Sequence, residues 1–241
     1  MDIILVPGLW LDASSWDDVT PALEAAGHHP TPMTLPGIGE PAERSAEIGM
    51  SDWVDAVVAQ IDDSPGPVVL VGHSGGGDVI WGAAGARPER VARAVFVDTV
   101  PPPPDQGLPD FDVVDGVVPF PGWGHFPEED VFDLDDETRA RAAALTQSVP
   151  AGVPSTPVQL NDDRHRVPVT LLVGGMDQTD LEGALEEWGP YEAEYRAIDD
   201  VTVMKIGSGH WPQFSVPERL AALINESVAH SQATVDGDDR A

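Results

Sequence analysis

The sequence predicts an α/β protein, with a mostly parallel sheet covered by helices on both faces. Two observations predict it. Short β-branched runs recur along the 241 residues, apolar at successive positions as in strands buried on both faces. Between them lie stretches with helical spacing, so strand and helix alternate as crossover connections between parallel strands require.

In chain order, residues 3–6 form a first buried strand, followed by Pro7-Gly8-Leu9-Trp10. A helix is expected to open at Ser14 or Ser15 and stop at Gly27, with Asp17 and Asp18 suited to its N-terminal dipole. A strand near 31–35 leads into the turn cluster Pro36-Gly37-Ile38-Gly39. Ser51 and Asp52 then cap a helix through Ile61, whose Trp53, Val54, Val57, Val58 and Ile61 share one face. Residues 68–71 and 91–97 read as strands flanking a helix that ends at Arg87. Residues 101–165 differ in character, with Pro101 to Pro104 and the aromatic residues Phe111, Phe120, Trp123, Phe126 and Phe132 among acidic ones. That segment is too apolar for a linker and is read as a cap inserted into a core of 1–100 and 166–230, helical only over 137–149. Strands at 167–173 and 201–206 enclose a helical region interrupted at Gly189-Pro190, a helix over 218–228 closes the core, and 231–241 read as a flexible tail.

The apolar run of 68–71 ends in Gly72-His73-Ser74-Gly75-Gly76, the G-x-S-x-G pattern of a nucleophile elbow. A serine on so tight a strand-to-helix turn sits in strained backbone, and the residues two before and two after it must lack clashing side chains. The motif is weak alone, and a strand before it with a helix after it supplies the specificity. A phosphate-binding loop would need a lysine after its last glycine, and the only lysine is Lys205.

A serine hydroxyl becomes a good nucleophile when a histidine takes its proton and a carboxylate fixes that histidine's tautomer. Parallel sheets gather such groups at the carboxyl ends of their strands. His210 follows the last strand, and Asp177 follows the one before it, which makes Asp177 the expected partner. Asp98, which ends a strand itself, and Asp180 are the rival carboxylates. His73 is expected to support the elbow, whereas His28, His29, His125, His165 and His230 lie in turn, cap or tail contexts. The amides of Gly75 and Leu9 are expected to form an oxyanion hole. Trp10, Trp123, His125, Phe126 and Trp211 are candidates to line an apolar pocket, with core packing as the alternative for each. No metal-ligand spacing is present, and Asp130, Asp133, Asp135 and Asp136 lack the glycine of a calcium loop, so neither metal nor cofactor is expected.

The chain carries 42 acidic and 12 basic residues, a net charge of −30. Such a surface repels nucleic acid and anionic membranes. The sequence lacks cysteine and any run of membrane-spanning length, and a cytoplasmic, soluble protein, monomer or homodimer, is expected.

Val6-Pro7-Gly8-Leu9-Trp10, Ser15-Trp16, Leu35-Pro36-Gly37, Gly72-His73-Ser74-Gly75-Gly76, Arg87-Pro88-Glu89-Arg90-Val91 and Gly209-His210 resemble the α/β-hydrolase superfamily. They are similar to its small, cofactor-free esterase branch, which includes plant methylesterases and hydroxynitrile lyases. The order Ser74, Asp177, His210 also fits that superfamily. The resemblance implies six parallel strands, a cap after the strand ending at Asp98, and hydrolysis of small esters, which a pocket of so many aromatic residues would favour as hydrophobic ones. Two departures stand out. Pro7 replaces the histidine that usually opens the oxyanion loop, and Trp211 and Gly8 replace the lysine and threonine of the lyases, which disfavours lyase chemistry. Lactones, peracids and carbon–carbon bonds are substrates open to the same triad, and a ligand-binding or signalling protein with little turnover is the alternative of a different class.

Asp outnumbers Glu and lysine is nearly absent, a balance that resembles proteins from salt-loving organisms. Salt screens the mutual repulsion of so many carboxylates. The midpoint of thermal unfolding is therefore expected to rise between low and molar NaCl, and a midpoint that stays level would show that the repulsion is negligible.

Overall fold

The computed structural model describes residues 1–238; residues 239–241, the end of the segment read as a tail, lie outside the described residues. The chain opens with β1 (Asp2–Val6), a 3-10 turn over Ala13–Trp16, α1 (Thr20–Ala25), β2 (His29–Pro32), α2 (Ala42–Ser45) and α3 (Met50–Asp63). The elbow region follows as β3 (Val68–His73), α4 (Gly76–Ala86) and β4 (Val91–Val97). An excursion then carries β5 (Val117–Val118), α5 (Glu128–Val131), α6 (Asp136–Ala143) and β6 (Val149–Pro150). The chain finishes with β7 (Val169–Val173), α7 (Gln178–Glu187), α8 (Pro190–Ala197), β8 (Val201–Lys205), α9 (Pro212–Ser215) and α10 (Pro217–Asp238).

Six strands form one sheet in the order β2-β1-β3-β4-β7-β8, parallel throughout. The central strand β3 shows why its sequence does not alternate. Val68 and Leu70 belong to the apolar core shared with α3, α4 and α7 on one face, while Val69 and Val71 belong to the core shared with α1 and α10 on the other. All six residues of β3 are buried. The strand order reverses between β1 and β3, and this brings the Pro7–Trp10 loop beside the elbow at the carboxyl edge of the sheet, where such folds hold ligands.

Local differences from the sequence reading have local causes. The expected helix from Ser14 is split in two, because Asp12 accepts the Ser14 amide to cap a 3-10 turn. A second start follows, with Pro21 in the first turn of α1, where the missing N–H costs nothing. The helix expected over 137–149 stops at Ala143, since Val149 and Pro150 pair with Val117 and Val118 in a short antiparallel ladder. The interruption at Gly189-Pro190 falls between α7 and α8, where Gly189 has φ +63°.

The excursion between β4 and β7 is anchored at both ends of its length. Val131, Leu134 and Ala142 pack with Leu11, Trp211 and Phe214 above the sheet edge. Where the chain returns, buried Arg164 forms a two-pronged ion pair with Glu194 of α8 at 2.6 and 2.7 Å, and the Trp81 indole N–H of α4 donates to the same carboxylate at 2.8 Å. Among the described residues, no helix is long and apolar enough to cross a membrane.

The crossing of β1 and α4 leaves no room for a side chain at Gly76, where a methyl group would lie 2.6 Å from the Pro7 carbonyl oxygen and 2.8 Å from that of Val6. Gly76→Ala is expected to destabilise the protein by about 1–3 kcal/mol, lowering the unfolding midpoint by roughly 3–10 °C. Gly66→Ala, with nothing within 4 Å of the added methyl, is expected to leave the midpoint nearly unchanged in the same scan.

Candidate active site

Ser74 sits at φ +50°, left-handed backbone that a serine adopts only under constraint. Its amide donates to the Val97 carbonyl at 3.1 Å, and its carbonyl accepts from Gly77 at 2.8 Å. A methyl group at Gly72 would lie 2.5 Å from the Gly76 carbonyl oxygen. The two glycines that frame the serine are thus steric requirements of the turn, as the motif implies.

The imidazole of His210 faces the serine, with Nε2 2.9 Å from Ser74 Oγ. Its Nδ1–H donates to Asp98 Oδ2 at 2.7 Å, while the other Asp98 oxygen accepts the Gly174 amide at 2.7 Å. Burial alone would raise the Asp98 pKa. The hydrogen bond and charge of His210, with the Gly174 amide, outweigh burial and hold the carboxyl below the usual carboxylate range. Asp98 therefore stays ionised at neutral pH, as a group that fixes the His210 tautomer must.

The expectation of Asp177 in that place is corrected. Asp177 is exposed and caps α7, its side chain accepting the Asp180 amide at 3.0 Å while Asp180 reaches back to the Asp177 amide. A reciprocal capping box occupies the carboxylate and points it away from His210. The sequence signal was present, since D-x-x-D ahead of an apolar-periodic stretch reads as a helix start. Asp98, by contrast, directly ends β4, the neighbour of the elbow strand, and is itself left-handed at φ +47°.

Behind the imidazole, His73 is fully buried and its Nε2–H donates to the His210 carbonyl at 2.7 Å. Its Nδ1 then accepts from the Gln213 amide at 3.2 Å. Burial, reinforced by the nearby His210, pushes the His73 pKa down to about 3, so this ring stays neutral. The excursion grips the same loop from the other side. The Asp130 carbonyl accepts the His210 amide at 2.8 Å, and Asp133 Oδ2 accepts the Gly209 amide at 2.8 Å.

Two cavities meet at Ser74. The larger, about 450 Å³, is walled by Asp78, Leu108, Val173, Met176, Tyr191 and Trp188 among others. The smaller, about 240 Å³, is walled by Leu9, Trp10, Phe111, Phe126, His210 and Trp211. Trp10, Phe126 and Trp211 thus reach the cavity, whereas Trp123 and His125 line neither. Trp123 packs edge-on against Trp211 and donates its indole N–H to the Arg139 carbonyl, and His125 is exposed against Phe111 and Phe126. Leu108, Phe111, Tyr191 and Asp78 were not legible as pocket residues, because nothing local marks residues that converge only after folding. Leu9 and Gly75 lie against one another at the cavity floor, a methyl group at Gly75 falling 3.2 Å from Leu9 Cγ.

The sequence profile of the alpha/beta hydrolase family matches residues 3–223. The chain belongs to that family. Among its relatives, polyneuridine aldehyde esterase of Rauvolfia serpentina is 36% identical over 109 residues, 44% of this chain and 41% of that protein. An esterase of Oryza sativa is 40% identical over 105 residues, 41% of this chain and 38% of that protein. These matches span about two fifths of the relatives' length. The pyrethroid hydrolase of Sphingobium wenxiniae is 25% identical over 92% of this chain and 86% of its own. In fold, a methylesterase from Arabidopsis superposes with a TM-score of 0.72 at 21% identity, covering 95% of this chain and 99% of that one.

If Asp98 sets the His210 tautomer, its replacement lowers the reactivity of Ser74. Covalent labelling by a fluorophosphonate is expected to slow by about ten-thousandfold in Asp98→Asn. Asp177→Asn keeps a residue that caps equally well and is expected to label within about twofold of wild type. Comparable losses in both variants would put the two carboxylates on one footing.

Proposed function

We propose that this alpha/beta hydrolase cleaves small carboxylic esters through an acyl-enzyme on Ser74. The observation that carries the reading is the unbroken line of hydrogen bonds from Asp98 through His210 to Ser74, at 2.7 and 2.9 Å, opening onto largely apolar cavities. Esterases among the relatives support it.

In this mechanism His210 Nε2 takes the Ser74 proton as the oxygen attacks the ester carbonyl, and Asp98 stabilises the imidazolium that forms. The amides of Leu9 and Gly75 receive the developing oxyanion, a contribution worth about 3–4 kcal/mol per donor in comparable enzymes. His210 next protonates the leaving alcohol, and then, as base again, activates the water that releases the acid. Residues 101–165 act as a cap, supplying Leu108, Phe111 and Phe126 to the substrate walls and limiting water around the acyl-enzyme. The apolar walls select a small hydrophobic substrate, and no metal or cofactor takes part.

Release of p-nitrophenol from short-chain esters, measured at low and molar salt, tests the reading. Wild type is expected to turn over and Ser74→Ala to lose at least about a thousandfold. Equal rates in the two proteins, or none in a folded wild type, would replace it with a binding role on the same fold.

A further inference from the structure

One carboxyl beside Ser74 has no part in that mechanism. Asp78 is the third residue of α4, about one helical turn beyond the nucleophile, and only 7% exposed. It lines the larger cavity together with Ser74, Val100, Leu108, Val173, Met176 and Leu181. Among the described residues no other side chain donates to it; the only hydrogen bond it takes is from its own backbone amide. No lysine, arginine or histidine lines that cavity, and Asp98 and Tyr191 are the other titratable groups on its wall. Burial pushes the Asp78 pKa up to about 7, and burial, with the nearby charge of Asp78, raises that of Tyr191.

Other buried charges in this protein are handled differently. Glu194 is paired with Arg164 and takes a further hydrogen bond from Trp81. A buried carboxyl without a cation is costly, and a polar group at the N-terminus of a helix serves the dipole as well when it points to solvent. Asp78 instead lines the cavity that opens at Ser74.

We propose that Asp78 is the recognition group for an ammonium or other N–H-bearing cation on the substrate, held about one helical turn from the reacting carbonyl. The inference rests on the ester-hydrolase reading and revises its substrate class from a wholly hydrophobic ester to an amino-substituted one. The apolar walls would hold the methylene spacer, while the cation supplies the charge and donors that Asp78 lacks.

Two isosteric pairs test it. The p-nitrophenyl esters of 6-aminohexanoic and heptanoic acids differ by an ammonium in place of a terminal methyl, and 5-aminopentyl and hexyl acetates make the same comparison on the alcohol side. In at least one pair at pH 8, wild type is expected to favour the amino ester in kcat/KM by about tenfold or more. Asp78→Asn is expected to lose that preference and Asp78→Leu to reverse it, read in each variant as the ratio of kcat/KM for the amino ester to that for the methyl-ended ester. Asp63→Asn, a change on the exposed end of α3, controls for general attraction to the acidic surface, as does molar salt; the preference is expected to survive both. Absence of any preference in wild type, or one that persists in Asp78→Asn, would overturn the proposal while leaving the esterase reading intact. If no ester is cleaved, the esterase reading fails by itself, and calorimetric titration with pentylammonium decides the site: binding to wild type lost in Asp78→Asn supports it, and no difference overturns it.

Discussion

Everything at this site depends on the left-handed turn at Ser74. A side chain in that conformation costs of order 1–2 kcal/mol, and it persists because the surroundings allow no other path. The Val97 carbonyl holds the Ser74 amide, and the carbonyls of Val6, Pro7 and Gly76 stand where side chains at positions 76 and 72 would go. Asp98 ends the neighbouring strand in the same conformation, at φ +47°. Two adjacent parallel strands thus terminate in strained residues, and His210 lies between their side chains.

The histidine is placed from three sides. Asp98 accepts a hydrogen bond from its Nδ1–H, buried His73 holds its carbonyl, and the Asp130 carbonyl holds its amide. The last of these belongs to the excursion after β4, as do Asp133 on Gly209 and the apolar cluster around Trp211. The same excursion supplies Leu108, Phe111 and Phe126 to the cavity walls. Substrate space and the position of the base are therefore set by one segment, and a shift of that segment moves both.

Charge is distributed by the same logic of burial. Most of the carboxylates behind the net charge of −30 remain in solvent, where isolated ion pairs such as Arg87–Asp62 and Arg196–Glu192 contribute little. Inside, Glu194 is neutralised by Arg164 in a pair that ties the end of the excursion to α8, with Trp81 of α4 on the same carboxylate. Asp78 stands apart from both arrangements, being buried, on the cavity wall and without an ion-pair partner among the described residues.

The sequence by itself determined the features that depend on neighbours along the chain. Apolar runs such as 68–71 and 91–97 are strands because both faces of β3 and β4 are covered, and Ser74 could be recognised because the glycines its turn requires sit two residues away on either side. His210 was legible because it lies in the short loop that follows the last strand. Only the tertiary structure decided between Asp98 and Asp177, since both follow strands and differ in what surrounds them. The first stands beside the elbow strand, and the second is taken up by the cap of its own helix. It alone also placed Asp78 and Tyr191 on the same cavity as Ser74 and left Trp123 and His125 outside it. Convergence of side chains from distant segments is a matter of packing, which leaves no local pattern in the chain.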